Sequence, residues 1–120
     1  MAPMPSTVRA AFEDELQFAR AATDTDQAWH HLERAHVLSQ MWVRPHVYSH
    51  WLMLRLAVRC RDRTEAVGQI IRVLASTLGW IRRPPEGNTG RTAVGLLTVM
   101  PIPDDLARIL QAGRAEAVRA

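Results

Sequence analysis

The chain has 120 residues, 48% of them hydrophobic, and carries 15 basic against 12 acidic residues for a formal charge of +3. That is enough apolar material for one compact domain and too little chain for two of ordinary size. All the basic residues are arginines spread along the chain, and Cys60 is the one cysteine. Without an arginine block or zinc-finger spacing, nucleic acid is not an expected partner. An intrachain disulfide is excluded, which fits a reducing compartment. No signal-like leader opens the sequence, and no stretch approaches the ~20 apolar residues that cross a membrane. The expected location is the cytoplasm, with no membrane partner.

The first helix is expected over Thr7–Ala21, where Val8, Ala11, Phe12, Leu16 and Ala19 recur at helical period. TDTD at 23–26 supplies short polar side chains for a turn and a helix cap. A second helix follows over Thr25–Met41, with Trp29, Leu32, His36, Val37 and Gln40 at steps of three and four. Pro45 suits the first turn of a third helix, because a first-turn residue needs no backbone N–H. That helix should cover about His46–Arg59, with Val47, Trp51, Leu54 and Val58 on one face. Asp62 and Glu65 resemble a capping box that opens a fourth helix, ending near Thr77–Gly79. Gly68 within it costs ~1 kcal/mol relative to alanine, a cost explained if another helix approaches closely there.

From Gly79 the character changes. Gly79, Pro84, Pro85, Gly87, Gly90 and Gly95 exclude one long helix. TAVGLLTVM could pair as a strand with WIR, or lie extended over the helices. A last helix is expected over DDLARILQAG, with Asp104 and Asp105 at its positive end. The sum is a single all-α domain over 1–120, with 1–6 and 115–120 fraying. It is a small antiparallel bundle of four to five helices with an extended or β-like Gly/Pro-rich segment around 79–102.

The segment AWHHLERAHVLSQMWVRPHVYSHW holds all five histidines and three of the four tryptophans. Glu33 and His36 stand three apart on the second helix; His46 and His50 stand four apart on the third. Each pair shares a helix face. A short connection favours antiparallel neighbours, so Glu33, His36, His46 and His50 form one candidate cluster. A carboxylate with three imidazoles suits a divalent transition metal such as zinc, iron, nickel or copper. Glu15 or Asp26 could add a carboxylate, although no spacing selects either. His30 and His31 point apart and are left out. The same cluster could move protons, with Glu33 orienting His36. Ser39 and Ser49 lack an activating context for nucleophilic chemistry. A hydrogen-bonded structural cluster stays open as well. Trp29, Trp42 and Trp51 read as core or covering aromatics.

PPEGNTGRT is the other unusual stretch. Gly87, Asn88, Thr89 and Gly90 can form a turn that exposes amides, followed by Arg91, as a site for a small anion. It lacks both the P-loop ending and the Rossmann spacing. Alternatively the loop folds over the histidines, with Asn88 or Glu86 hydrogen-bonding a metal ligand.

AWHHLERAHVLSQ, HVYSHWLML, RDRTEAVGQIIR, PPEGNTG and MPIPDDL in that order resemble a bacterial family of unknown function, domain of unknown function 3703. The resemblance runs from about Phe12 to Leu110. It implies a single small domain and no assigned activity or cofactor. It marks Glu33, His36, His46 and His50, and Gly87 to Gly90, as the positions to inspect. Three functions therefore compete. One is a helical metal-binding protein. The second is an interaction module that forms a homodimer, its histidines a core cluster. The third is a metal-free enzyme acting on a small anionic ligand held by Arg91 and the 87–90 loop.

Overall fold

The structure is a computed structural model that describes residues 2–80 and 84–120. Five helices account for its regular structure: α1 Ser6–Ala21, α2 Thr25–Ser39, α3 Val43–Arg59, α4 Arg63–Thr77 and α5 Asp104–Arg119. There is no strand among the described residues. Three-residue connections at 22–24, 40–42 and 60–62 fold α2, α3 and α4 each back on its predecessor. Asp24 caps α2 by accepting from Gln27 N at 2.9 Å, and Asp62 caps α4 by accepting from Glu65 N at 3.0 Å. Pro45 lies in the first turn of α3. α5 runs on to Arg119, so 114–119 extend the helix expected over DDLARILQAG.

α2 is the centre of the fold and packs against α1, α3 and α5. Six successive residues, Ala35 to Gln40, are buried there. One apolar cluster joins α1, α2 and α3 through Phe12, Leu16, Trp29, Leu32, Met53 and Leu56. A second joins α1, α2 and α5 through Val8, Val37, Leu38 and Leu106. Leu38, Met53 and Leu106 are fully covered; each such side chain contributes about 1.5–3 kcal/mol relative to exposure. α4 is the outermost helix and packs, among the helices, on α3.

Two expectations are corrected here. The inward face of α3 is His46, Ser49, His50, Met53, Leu56 and Ala57. The stripe Val47, Trp51, Leu54, Val58 lies on the outer side, with Trp51 48% and Val58 62% exposed. Gly68 does admit a close neighbour, but it is no helix: a Cβ there would stand 1.8 Å from Thr92 Oγ1 of the covering segment.

That segment, from Pro84 to Pro103, crosses the molecule without forming a strand. TAVGLLTVM turns twice, with Val94 N donating to Arg91 O and Thr98 N to Gly95 O, both at 3.1 Å. Of its expected partner WIR, Ile81 and Arg82 lie outside the described residues. Side chains do the work that a ladder would do. Asn88 Nδ2 donates to Gly95 O at 2.9 Å and Thr98 O at 2.8 Å. Arg72 donates to Arg91 O and Val94 O, and the Glu65 carboxylate accepts from Thr92 N. A buried backbone must find partners somewhere, and here it finds them on the helices it covers.

Candidate metal centre

His36 stands in the last turn of α2, and His46 and His50 stand in the first two turns of α3. The short connection between the helices brings these turns together. The three Nε2 atoms converge: His46 to His36 is 3.0 Å, His36 to His50 is 3.1 Å, and His50 to His46 is 3.2 Å. The rings are inclined by 58–65° to one another, so they meet at their nitrogens and not at their faces. All three side chains are buried.

The outer nitrogens fix the inner ones. His36 Nδ1 lies 2.7 Å from Asn88 O, a carbonyl that can only accept, so Nδ1 carries the proton. His50 Nδ1 lies 2.8 Å from Gln69 Oε1. The orientation of the Gln69 amide follows from its other end, where Nε2 donates to Glu65 Oε1 at 2.8 Å and Gly90 O at 2.7 Å. Both of those atoms only accept, so Oε1 faces His50 and accepts from it. Neutral His36 and His50 therefore each aim an Nε2 lone pair into the middle of the group.

Electrostatics keep the rings neutral. Burial, with His50 and His46 adding to it, holds His36 well below the usual histidine value. Burial and then His50 push His46 down to about 3. Burial, opposed by the Gln69 hydrogen bond and reinforced by Arg72, brings His50 down to about 4. Desolvation disfavours the charged imidazolium in each case.

The covering segment closes over this group. Gly90 has φ +85°, and a Cβ on it would stand 2.8 Å from the His36 ring. Only glycine tolerates both that backbone and that proximity. Gln40 reaches Pro85 O at 2.8 Å and accepts from Gly87 N at 3.1 Å. Beside the histidines lies a cavity of about 20 Å³, lined also by Gln40, Arg72, Ser76 and Leu96. That is room for one water-sized ligand beside the histidine nitrogens and for little more.

The expected carboxylate does not join the group. Glu33 Oε1 accepts from Arg91 Nη1 at 3.3 Å, and the three residues whose ligand atoms converge are His36, His46 and His50. The reason is geometric. An i, i+3 pair occupies adjacent sectors of the helix, and the sector of Glu33 meets Arg91. Burial raises the Glu33 carboxyl despite that arginine. Three amides of the loop are engaged within the protein. Gly87 N donates to Gln40, Asn88 N to Pro85 O, and Gly90 N to Asn88 Oδ1. Thr89 sits among them, half-buried. Arg91 lies 3.2 Å from Glu65 and 3.8 Å above the Trp29 ring. The alternative, a loop folded over the histidines with Asn88 bonded to one of them, is what the structure contains, although the bond comes from the Asn88 main chain.

Other candidates fall elsewhere. Glu15 binds His31 at 2.7 Å and Arg34 at 2.8 Å, while Asp26 is exposed. His30 and His31 are remote from the cluster, edge to face with each other. Ser39 and Ser49 donate to His36 O and His46 O, so neither hydroxyl is poised to attack. Trp29 is buried and Trp42 half-buried against the second apolar cluster. Sequence reasoning passed over Gln69, Gln40 and Arg72 and read Glu65 as a cap residue. A signal for them existed: α4 carries Glu65, Gln69 and Arg72 at helical spacing on one side and an apolar stripe on the other, and the polar side is the buried one.

The group as built can hold a metal ion, or it can be joined by hydrogen bonds alone. No helix is long and apolar enough to cross a membrane among the described residues. No curated protein and no solved structure matches the chain. The family model described as a protein of unknown function, DUF3703, matches residues 6–110. With its histidines, its covering GNTG loop and nearly its whole length inside that match, the chain belongs to the DUF3703 family.

Proposed function

We propose that this chain is a small metal-binding protein whose ligands are the Nε2 atoms of His36, His46 and His50. The observation that carries the reading is the pair of locked lone pairs. Nε2 of His36 and Nε2 of His50 stand 3.1 Å apart, and their Nδ1 protons are committed to Asn88 O and Gln69 Oε1. A proton on His46 Nε2 can be shared between them but still leaves two acceptors facing each other. A cation at the centre satisfies all three. His36, His46 and His50, whose Nε2 atoms stand 3.0–3.2 Å apart, would hold the ion, which would supply a Lewis-acid centre there. The outer hydrogen bonds from His36 and His50 are the kind that orient metal-bound imidazoles. Zinc, iron, nickel and copper all accept neutral imidazole, and zinc, with no electronic preference of geometry, makes the weakest demand on how the three are arranged.

The test is metal content of protein purified without a histidine tag, stripped, reloaded with zinc and dialysed. Wild type should retain one ion per chain. His36→Ala, which removes the residue at the centre of the hydrogen-bond geometry, should retain none. Equal content in both proteins, or no retention by wild type, would end the proposal.

A second role is favoured by a different surface. Tyr48, Trp51 and Val58 of α3 and Val67, Ile70, Ile71, Leu74 and Leu78 along α4 are each 40–62% exposed. α4 buries its polar side and turns its apolar side outward, and an apolar face of that extent is a surface for a partner. The residues at 67, 70, 71, 74 and 78 form an uncharged stripe suited to an antiparallel copy of itself. Together the face leaves on the order of 800 Å² uncovered, about one partner's share of a standard interface. The occupant we assign is a second copy of the chain. Light scattering should find a dimer for wild type and a monomer that still binds zinc for Leu74→Arg; a monomeric wild type would refute it.

A further inference from the structure

The three ligands are neutral, and this has an electrostatic consequence. A divalent ion on them carries its full charge into a buried site. The cavity that adjoins the histidines is lined by Arg72, which is 7% exposed. The Arg72 guanidinium is hydrogen-bonded to the carbonyl oxygens of Gly68, Arg91 and Val94 and to no carboxylate. No carboxylate lines the cavity among the described residues. Glu65 is separated from the histidines by Gln69, and Glu33 is taken by Arg91. Two or three positive charges without a counter-ion in a buried pocket would be strongly destabilising.

We infer that the metal keeps a coordination position open toward this cavity, and that a small exogenous anion occupies it: hydroxide at rest, or another monovalent anion one atom wide. Three observations converge on that position. Among the described residues the convergent group supplies three protein ligands and no fourth, which is the ligand count of reactive and not structural zinc sites. The cavity of about 20 Å³ fits one water-sized ligand beside the ion. The positive charge of Arg72 faces the same space, so an anion there is stabilised from both sides. Arg72 is a positioning residue for the anion, not a metal ligand. The inference rests on the three-histidine metal site proposed above and adds to it the class of ligand the metal takes.

Cobalt(II) in place of zinc makes this visible. Cobalt-loaded protein should show the intense visible bands of a four- or five-coordinate ion. Azide should displace the bound water or hydroxide and add a saturable ligand-to-metal band in the near ultraviolet. Arg72→Gln should keep cobalt at one per chain while azide binding weakens roughly tenfold, as expected for a lost charged contact. Arg72→Lys, which restores the charge, should recover most of that loss, an outcome that a purely structural role for Arg72 does not give. Two results overturn the inference while leaving the metal site standing: a cobalt spectrum unmoved by azide, or azide binding equal in wild type and Arg72→Gln. Absence of any cobalt spectrum overturns the metal site itself and the open position with it. If Arg72→Gln does not fold, the azide response of wild type and of Arg72→Lys decides the matter alone.

Discussion

The α2–α3 pair has two ends built on opposite principles. At the end remote from their connection, Trp29 and Leu32 meet Met53 and Leu56 in a plain apolar core with Phe12 and Leu16 of α1. At the connected end the same two helices bury His36, Ser39, Gln40, His46, Ser49 and His50. Apolar burial is favourable without further conditions, whereas each buried polar group costs stability unless it is paired. The covering segment makes the second end tolerable. It brings the carbonyls of Asn88, Gly90 and Pro85 to His36, Gln69 and Gln40. One end therefore holds the fold, and the other is organised around three nitrogens that hydrogen bonds alone leave incompletely matched.

The difference predicts how each end responds. The largest effect should come from metal itself. At free zinc a thousandfold above its Kd, binding to the native state stabilises by about 4 kcal/mol. That is a rise in Tm on the order of 15 °C for a chain of this size, and calorimetry with and without chelator measures it. At the apolar end, Met53→Ala should cost about 2–5 kcal/mol in urea unfolding through the cavity it leaves, with zinc stoichiometry of the folded protein unchanged. At the polar end, Gln69→Leu removes the acceptor for His50 and a donor to Gly90 O. Zinc affinity should fall 10–100-fold, read by competition with a chromogenic chelator.

A further effect is the acid response of the metal-free protein. The three histidines have folded-state values below their unfolded value of ~6.5. Between those values the unfolded chain binds more protons than the folded one. Stability is thus fully present above about pH 6.5 and is lost as pH falls toward the values of about 4 for His50 and about 3 for His46. The slope is at most about 1.4 kcal/mol per pH unit for each histidine. Unfolding of stripped protein at pH 7.5, 6.5 and 5.5 should show that decline, and His46→Gln should flatten it. A pH-independent stripped protein would mean that the rings are not buried and neutral.

Much of this contrast was readable from the residues. Caps at Asp24 and Asp62, the proline at 45 and the helical periods placed the helices. Spacing plus a short connection brought His36, His46 and His50 together. What failed did so for physical reasons. Periodicity reports that a helix has two faces but not which one is buried, so the stripe at Val47, Trp51, Leu54 and Val58 marks one face of α3 without showing that it turns outward. The buried face of α3 mixes two histidines with Ser49 and Met53, and a hydrophobic scale ranks it below its exposed side. Glu33 and His36 share a helix, but whether they share a target depends on Arg91, which arrives from 58 positions further on. The spacing of Glu65, Gln69 and Arg72 marks a polar face on α4, but the partners that give Gln69 its role, His50 and Gly90 O, stand 19 and 21 positions away. Gly68 marked a close approach, but the expected visitor was another helix and the one that comes is Thr92 of the covering segment.

The most direct test is X-ray absorption at the zinc edge of the reloaded protein. The account predicts an inner shell at ~2.0–2.1 Å containing three imidazoles, recognised by their outer-ring scattering, plus one light atom. A shell made of oxygens without imidazole scattering, or one with a single histidine, would contradict it.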